Sequence, residues 1–121
     1  MASCLCVALG GAVGAMLRYL IGLIKINESF AFPIKTLIIN VVGSFLIGLI
    51  AAFAGSRSNF NADLLLLLKV GVCGGFTTFS TFALETAGLI QDGKLMTAFL
   101  YAVLSAVLSV AAVFLSQYLI K

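Results

Sequence analysis

Gly74-Gly75-Phe76-Thr77-Thr78-Phe79-Ser80-Thr81-Phe82 lies inside an apolar run that extends from Asp63 to Ile90. Two adjacent glycines and four hydroxyl residues in nine positions make a poor lipid-facing helix. Lipid offers no hydrogen-bond partners, so irregular backbone at membrane depth persists only against protein or a water-filled cavity. The stretch therefore predicts a helix broken mid-membrane at Gly74-Gly75. Discontinuous helices of this kind are a common way of building ion sites.

The rest of the chain agrees with a membrane setting. Of 121 residues, 63% are hydrophobic and 9% charged, a balance foreign to a water-soluble domain of this size. Crossing a bilayer takes about 20 apolar residues. Four runs reach that length: Leu5 to Ile24, Pro33 to Ala54, Asp63 to Ile90, and Leu95 to Ile120. The expected fold is an all-α membrane protein with four transmembrane helices, the third broken, in one domain over residues 1–121. The first run lacks a basic leader and carries Arg18, so it reads as a retained span rather than a cleaved signal. Cys4, Cys6 and Cys73 lack the paired spacing of a metal site and read as small apolar residues. Histidine and tryptophan are both absent, which removes the usual proton relay and the usual interfacial anchor.

Charge placement bears on orientation, which an excess of Lys and Arg in cytoplasmic loops normally sets. With four spans, Arg57, Lys121 and Lys69 fall on or near one side, and Lys25, Lys35 and Lys94 on the other. The bias is close to zero. Insertion in both orientations, with pairing as an antiparallel dual-topology homodimer, is the expectation; a single topology fixed by other means is the alternative. Four helices are few to enclose a pathway alone, and closed two-fold pairing is the commonest arrangement.

Each span has a distinctive face. The first carries Gly10, Gly14, Arg18 and Gly22 at four-residue intervals, and small residues so spaced let helix backbones approach in lipid. Two roles fit Arg18: facing protein or snorkelling to the interface, and direct contact with an anion. The second places Asn40, Gly43, Ser44 and Gly48 on one face. Asn40 reads either as interhelical glue or as a pathway residue whose NH2 gives two donors to a bare anion. The fourth carries Tyr101, Ser105 and Ser109 as a track of hydroxyls, unless the serines bond back to their own helix. In the third, carbonyls freed by a break together with nearby hydroxyls suit a hard cation such as Na+. Phe79 and Phe82 share a face beyond the break, where the positive ring edges can meet an anion. Ordinary packing is the plainer reading, since the chain has ten Phe. Glu85 reads as a group that caps or pairs, with Lys94 or Arg18 as partner.

Three motifs together, Gly10-Gly11-x-x-Gly14-Ala15-x-x-Arg18-Tyr19, Asn40-x-x-Gly43-Ser44-Phe45 and the stretch quoted first, resemble the Fluc (CrcB) fluoride channels. The similarity covers nearly the whole chain, in length, span number and motif order. It implies an antiparallel dual-topology dimer with two fluoride pathways along the subunit interface. Asn40 would line the pore, Phe79 and Phe82 would present ring edges to fluoride, and Ser80, Thr81, Tyr101, Ser105 and Ser109 would add a polar path. A structural Na+ would be held at the two-fold by the main-chain carbonyls of Gly74 and Thr77 from each subunit. Arg18 would belong to the vestibule.

The function implied is passive export of fluoride across the inner cell membrane, protecting the cytoplasm. HF enters as a neutral acid and dissociates inside, and a channel lets the anion leave down its electrochemical gradient. A small multidrug exporter, also four short spans in an antiparallel dimer, would need a carboxylate in the first span, where only Arg18 is charged. A non-conducting structural subunit would leave the mid-span interruption without a purpose. No nucleophile–base pair suggests an enzyme.

Overall fold

The computed structural model describes residues 1–26 and 31–120; Lys121, counted above in the charge balance, lies outside them. The chain forms α1 (Ala2–Gly22), α2 (Ile34–Gly55), a compound third span and α6 (Leu95–Ile120). The third span is built from α3 (Ala62–Leu65), a π-helical stretch (Leu66–Cys73), α4 (Gly74–Phe76) and α5 (Phe79–Gln91). Four helices are long and apolar enough to cross a membrane: 21, 22, 30 and 26 residues. At 1.5 Å per residue even the shortest reaches about 30 Å, the thickness of a hydrocarbon core. Every expected boundary falls within three residues of the observed one.

Local chemistry sets the ends. Asn61 caps α3, its side chain accepting from the Leu64 N–H at 3.0 Å, and Asp63 sits favourably in the first turn. Ser3 donates to Asp63 at 3.0 Å, pinning the start of α1 beside the start of the third span. At the other end, α5 stops at Gly93, whose φ of +78° is left-handed. The Lys94 N–H then reaches back to the Leu89 carbonyl and the Gly93 N–H to that of Ile90, closing the helix.

Packing is tightest where α1 crosses the third span. A Cβ on Gly10 would strike the Leu67 carbonyl, and one on Gly14 the Val72 carbonyl. Gly10 and Gly14 are four apart, one α-turn, whereas Leu67 and Val72 are five apart, one π-turn. The widened helix thus presents successive carbonyls in step with the glycines of α1. Gly71 and Gly75 complete the contact, a Cβ on Gly75 coming within 2.6 Å of the Gly11 carbonyl.

The other pairing is α2 against α6, where Gly48 lies against Ser116. A small core of Leu37, Leu89, Ala98 and Tyr101 joins α2, α5 and α6. Large apolar side chains such as Leu9, Leu84, Phe99 and Phe114 cover the outside of the bundle, as a lipid-facing surface requires.

Candidate functional site

The interruption of the third span lies two residues beyond the expected place. Gly74 and Gly75 stay helical; the backbone leaves the helix at Thr77 (φ −80°, ψ 157°) and Thr78 (φ −147°, ψ 116°). Two forces decide this. Gly75 is used for close approach to α1, and Thr78 is a strong N-cap, its hydroxyl accepting from the Thr81 N–H at 3.1 Å to start α5.

Extended backbone inside an apolar bundle must find partners. Asn40 supplies both for Thr78: its Oδ1 accepts from the Thr78 N–H at 2.8 Å, and its Nδ2 donates to the Thr78 carbonyl at 3.0 Å. The side chain thereby imitates a neighbouring strand. Thr77 turns its N–H and its hydroxyl back on the Cys73 carbonyl, at 3.0 and 2.9 Å. Arg18 reaches across from α1, its Nε donating to the Gly75 carbonyl at 3.1 Å. Of its two expected roles, the protein-facing one is what the geometry records. The amide of Asn40 has two N–H groups, so one donor is left beyond the bond to Thr78.

Two cavities of about 420 Å³ each flank this clamp, and Thr78 borders both. Among the described residues, the first carries no ionisable group other than the Cys73 thiol. Asn40, Ser44, Thr77, Ser105 and Ser109 give it polar atoms, while Phe79 and Phe82 give it ring surface. Phe79 is 79% exposed, and its ring stands 5.5 Å from that of Phe82. The Ser105 hydroxyl is buried there without a hydrogen-bond partner among the described residues. Gly74 lies on the same cavity with its α-carbon open, nothing coming nearer to a Cβ than the Lys69 carbonyl at 4.0 Å. The second cavity is charged: Arg18, Lys35 and Glu85 line it, with the hydroxyls of Thr36, Thr78 and Thr81.

Most expected site residues are thus brought together around one clamp, with three qualifications. Tyr101 is fully buried behind Phe82, ring centroids 5.1 Å apart, rather than on the cavity wall. Its hydroxyl donates to Glu85 at 3.0 Å, so the partner of Glu85 is a tyrosine and not Lys94 or Arg18. Ser80 is exposed and lines neither cavity, and Thr81 belongs to the charged one. The residue that sequence reasoning passed over is Thr78, the hinge between the cavities. Its signal was present as a hydroxyl residue three positions before Thr81 at the start of an apolar helix, the pattern of a cap.

Comparisons with known proteins place the chain in a family. The model of the CrcB-like protein, Camphor Resistance (CrcB) family matches residues 5–117. A protein of Ruminiclostridium cellulolyticum named fluoride-specific ion channel FluC is 48% identical over 117 residues, covering 95% of this chain and 89% of its own. One of the same name from Agrobacterium fabrum is 45% identical, covering 89% and 87%. Another, from a Shewanella species, is 44% identical and covers 99% and 97%. With the clamp, the glycine crossing and the interrupted third span all inside the matched residues, this chain belongs to the CrcB-like family.

Proposed function

We propose that the chain is a passive, fluoride-selective ion channel that lets fluoride leave the cytoplasm and so protects against its toxicity. The observation that carries the reading is the uncharged cavity beside Asn40 and Thr78, in a chain nearly half identical to relatives named for fluoride conduction. Fluoride is small and strongly hydrated, so a path must replace its water with several weak donors. The remaining Asn40 N–H, the unpartnered Ser105 hydroxyl, Ser109, and the edges of Phe79 and Phe82 are such donors. A full positive charge at the same place would hold the ion too firmly, since conduction requires that it also leave. Arg18, in the second cavity, receives the anion from water, and Thr81 with Ser80 stands at the passage. Tyr101 backs Phe82 and fixes its ring.

The working unit in this reading is an antiparallel dual-topology homodimer with two pathways, seated in the inner cell membrane. The exposed ring of Phe79 and the open α-carbon of Gly74 favour a second copy closing the first cavity. A structural Na+ fits there as well. Gly74 and Thr77 border the cavity, and their main-chain oxygens are hard ligands of the kind Na+ prefers. One chain supplies too few oxygens, so the same pair from the partner would complete the set at the two-fold.

The test is purified protein in liposomes loaded with potassium fluoride or potassium chloride. Fluoride efflux far faster than chloride efflux, without added energy, is expected; equal rates would overturn the proposal. Labelling single cysteines placed in one loop from both sides of the membrane checks the dual topology, and labelling from one side alone would reject it.

A further inference from the structure

Lys35 is the second residue of α2, the wrong end of that helix for a cation, because a helix N-terminus carries partial positive charge. Its ammonium does not stay there. Nζ donates to the Gly22 carbonyl at 3.1 Å, the last residue of α1, whose C-terminus carries the complementary partial negative charge. That mooring holds the ammonium in the wall of the second cavity, together with Arg18 and Glu85. Among the described residues, two cations and one carboxylate line the cavity, a net charge of +1. Without Lys35, the charges of Arg18 and Glu85 would cancel among the described residues. The other polar side chains lining that cavity from α1, α2 and α5, among the described residues, are the neutral Tyr19, Thr36 and Thr81.

We infer that Lys35 is an anion-gathering residue: by fixing the sign of the second cavity it raises the local concentration of fluoride ahead of the neutral path. This rests on the channel reading above. It differs from the role of Arg18, which is tied to the main chain of the interrupted span and serves its geometry as well as its charge. Lys35 touches no part of the first cavity and acts only through space.

A through-space role has a signature that a packing role lacks. Screening extends over about 30 Å at 0.01 M salt and about 3 Å at 1 M. One unit charge roughly 7 Å away in water changes a local anion concentration about threefold at low salt. Fluoride efflux from liposomes is therefore measured at 0.01 M and at 1 M ionic strength, set by an impermeant organic salt with sodium constant. Lys35→Gln is expected to lower flux about threefold at low ionic strength and to match the unaltered chain at high. Lys35→Arg should keep the unaltered salt dependence, and Lys35→Glu should lower the low-salt flux about tenfold. A deficit in K35Q that is the same at both ionic strengths, or no deficit at either, overturns the inference while leaving the channel reading standing. Absence of fluoride flux from the unaltered chain overturns both.

Discussion

The two cavities on either side of Thr78 have the same volume and opposite chemistry. The one bordered by Phe79, Phe82, Ser105 and Ser109 offers only weak dipoles and ring edges, whereas the other holds Arg18, Lys35 and Glu85. In the proposed channel the difference separates two tasks that a single site performs badly. Full charges attract an anion over distance but hold it; neutral donors attract it feebly but let it move on. What joins them is a two-residue length of extended backbone, clamped by one asparagine from another helix.

Removing the clamp should have the largest effect. Asn40→Leu deletes both bonds to Thr78 and leaves its N–H and carbonyl unpaired, a loss of about 2 kcal/mol on the scale of interhelical bonds in membranes. Fluoride flux should fall about a hundredfold or more with a lower melting temperature in detergent. Full flux would show that the two cavities do not communicate through this point.

The phenylalanines sharpen the comparison next. Phe79 is exposed while Phe82 is wedged between Phe79 and Tyr101. Phe79→Ile and Phe82→Ile should each cut flux roughly tenfold, but only Phe82→Ile should also lower the stability of the chain, by about 1 kcal/mol. Equal stability losses would mean that the rings pack alike and that the first cavity is ordinary core.

Arg18→Lys keeps the charge of the second cavity and loses the reach of Nε to the Gly75 carbonyl. Flux within a factor of about three of the unaltered chain is expected, with stability lower by roughly 1 kcal/mol. A collapse of flux would make the guanidinium fork, rather than charge, the requirement.

Ser105→Ala should give the smallest change and an informative one. Its hydroxyl is buried without a partner among the described residues, so removal should leave stability unchanged or raise it by about 1 kcal/mol. Flux should nevertheless fall a few-fold, because in the proposed channel the lost hydroxyl is a donor on the neutral path. Thermal melts and liposome flux on the same preparation read the two effects separately.

Much of this was legible before any coordinates. Four apolar runs named the spans. The interruption was legible as an event but misplaced by two residues, because paired glycines signal both flexible backbone and close packing. Only the position of α1 shows that Gly75 is used for packing, with the Gly11 carbonyl against it. The π-helical stretch was invisible for a related reason: nothing in Leu66–Cys73 prefers it, and its match to the glycine spacing of α1 accounts for it.

The sequence by itself determined the membrane setting, the number of spans, the presence of a polar interruption and the family. All are consequences of composition and short-range pattern, which the chain carries at every point along its length. The tertiary structure alone decided that Asn40 meets Thr78 across 38 positions, that Glu85 takes Tyr101, and that the charges gather on one side of the hinge. Those pairings depend on which helix faces come together, and in a bundle of similar apolar helices that choice is made by close packing and by the few buried polar groups that must find a partner.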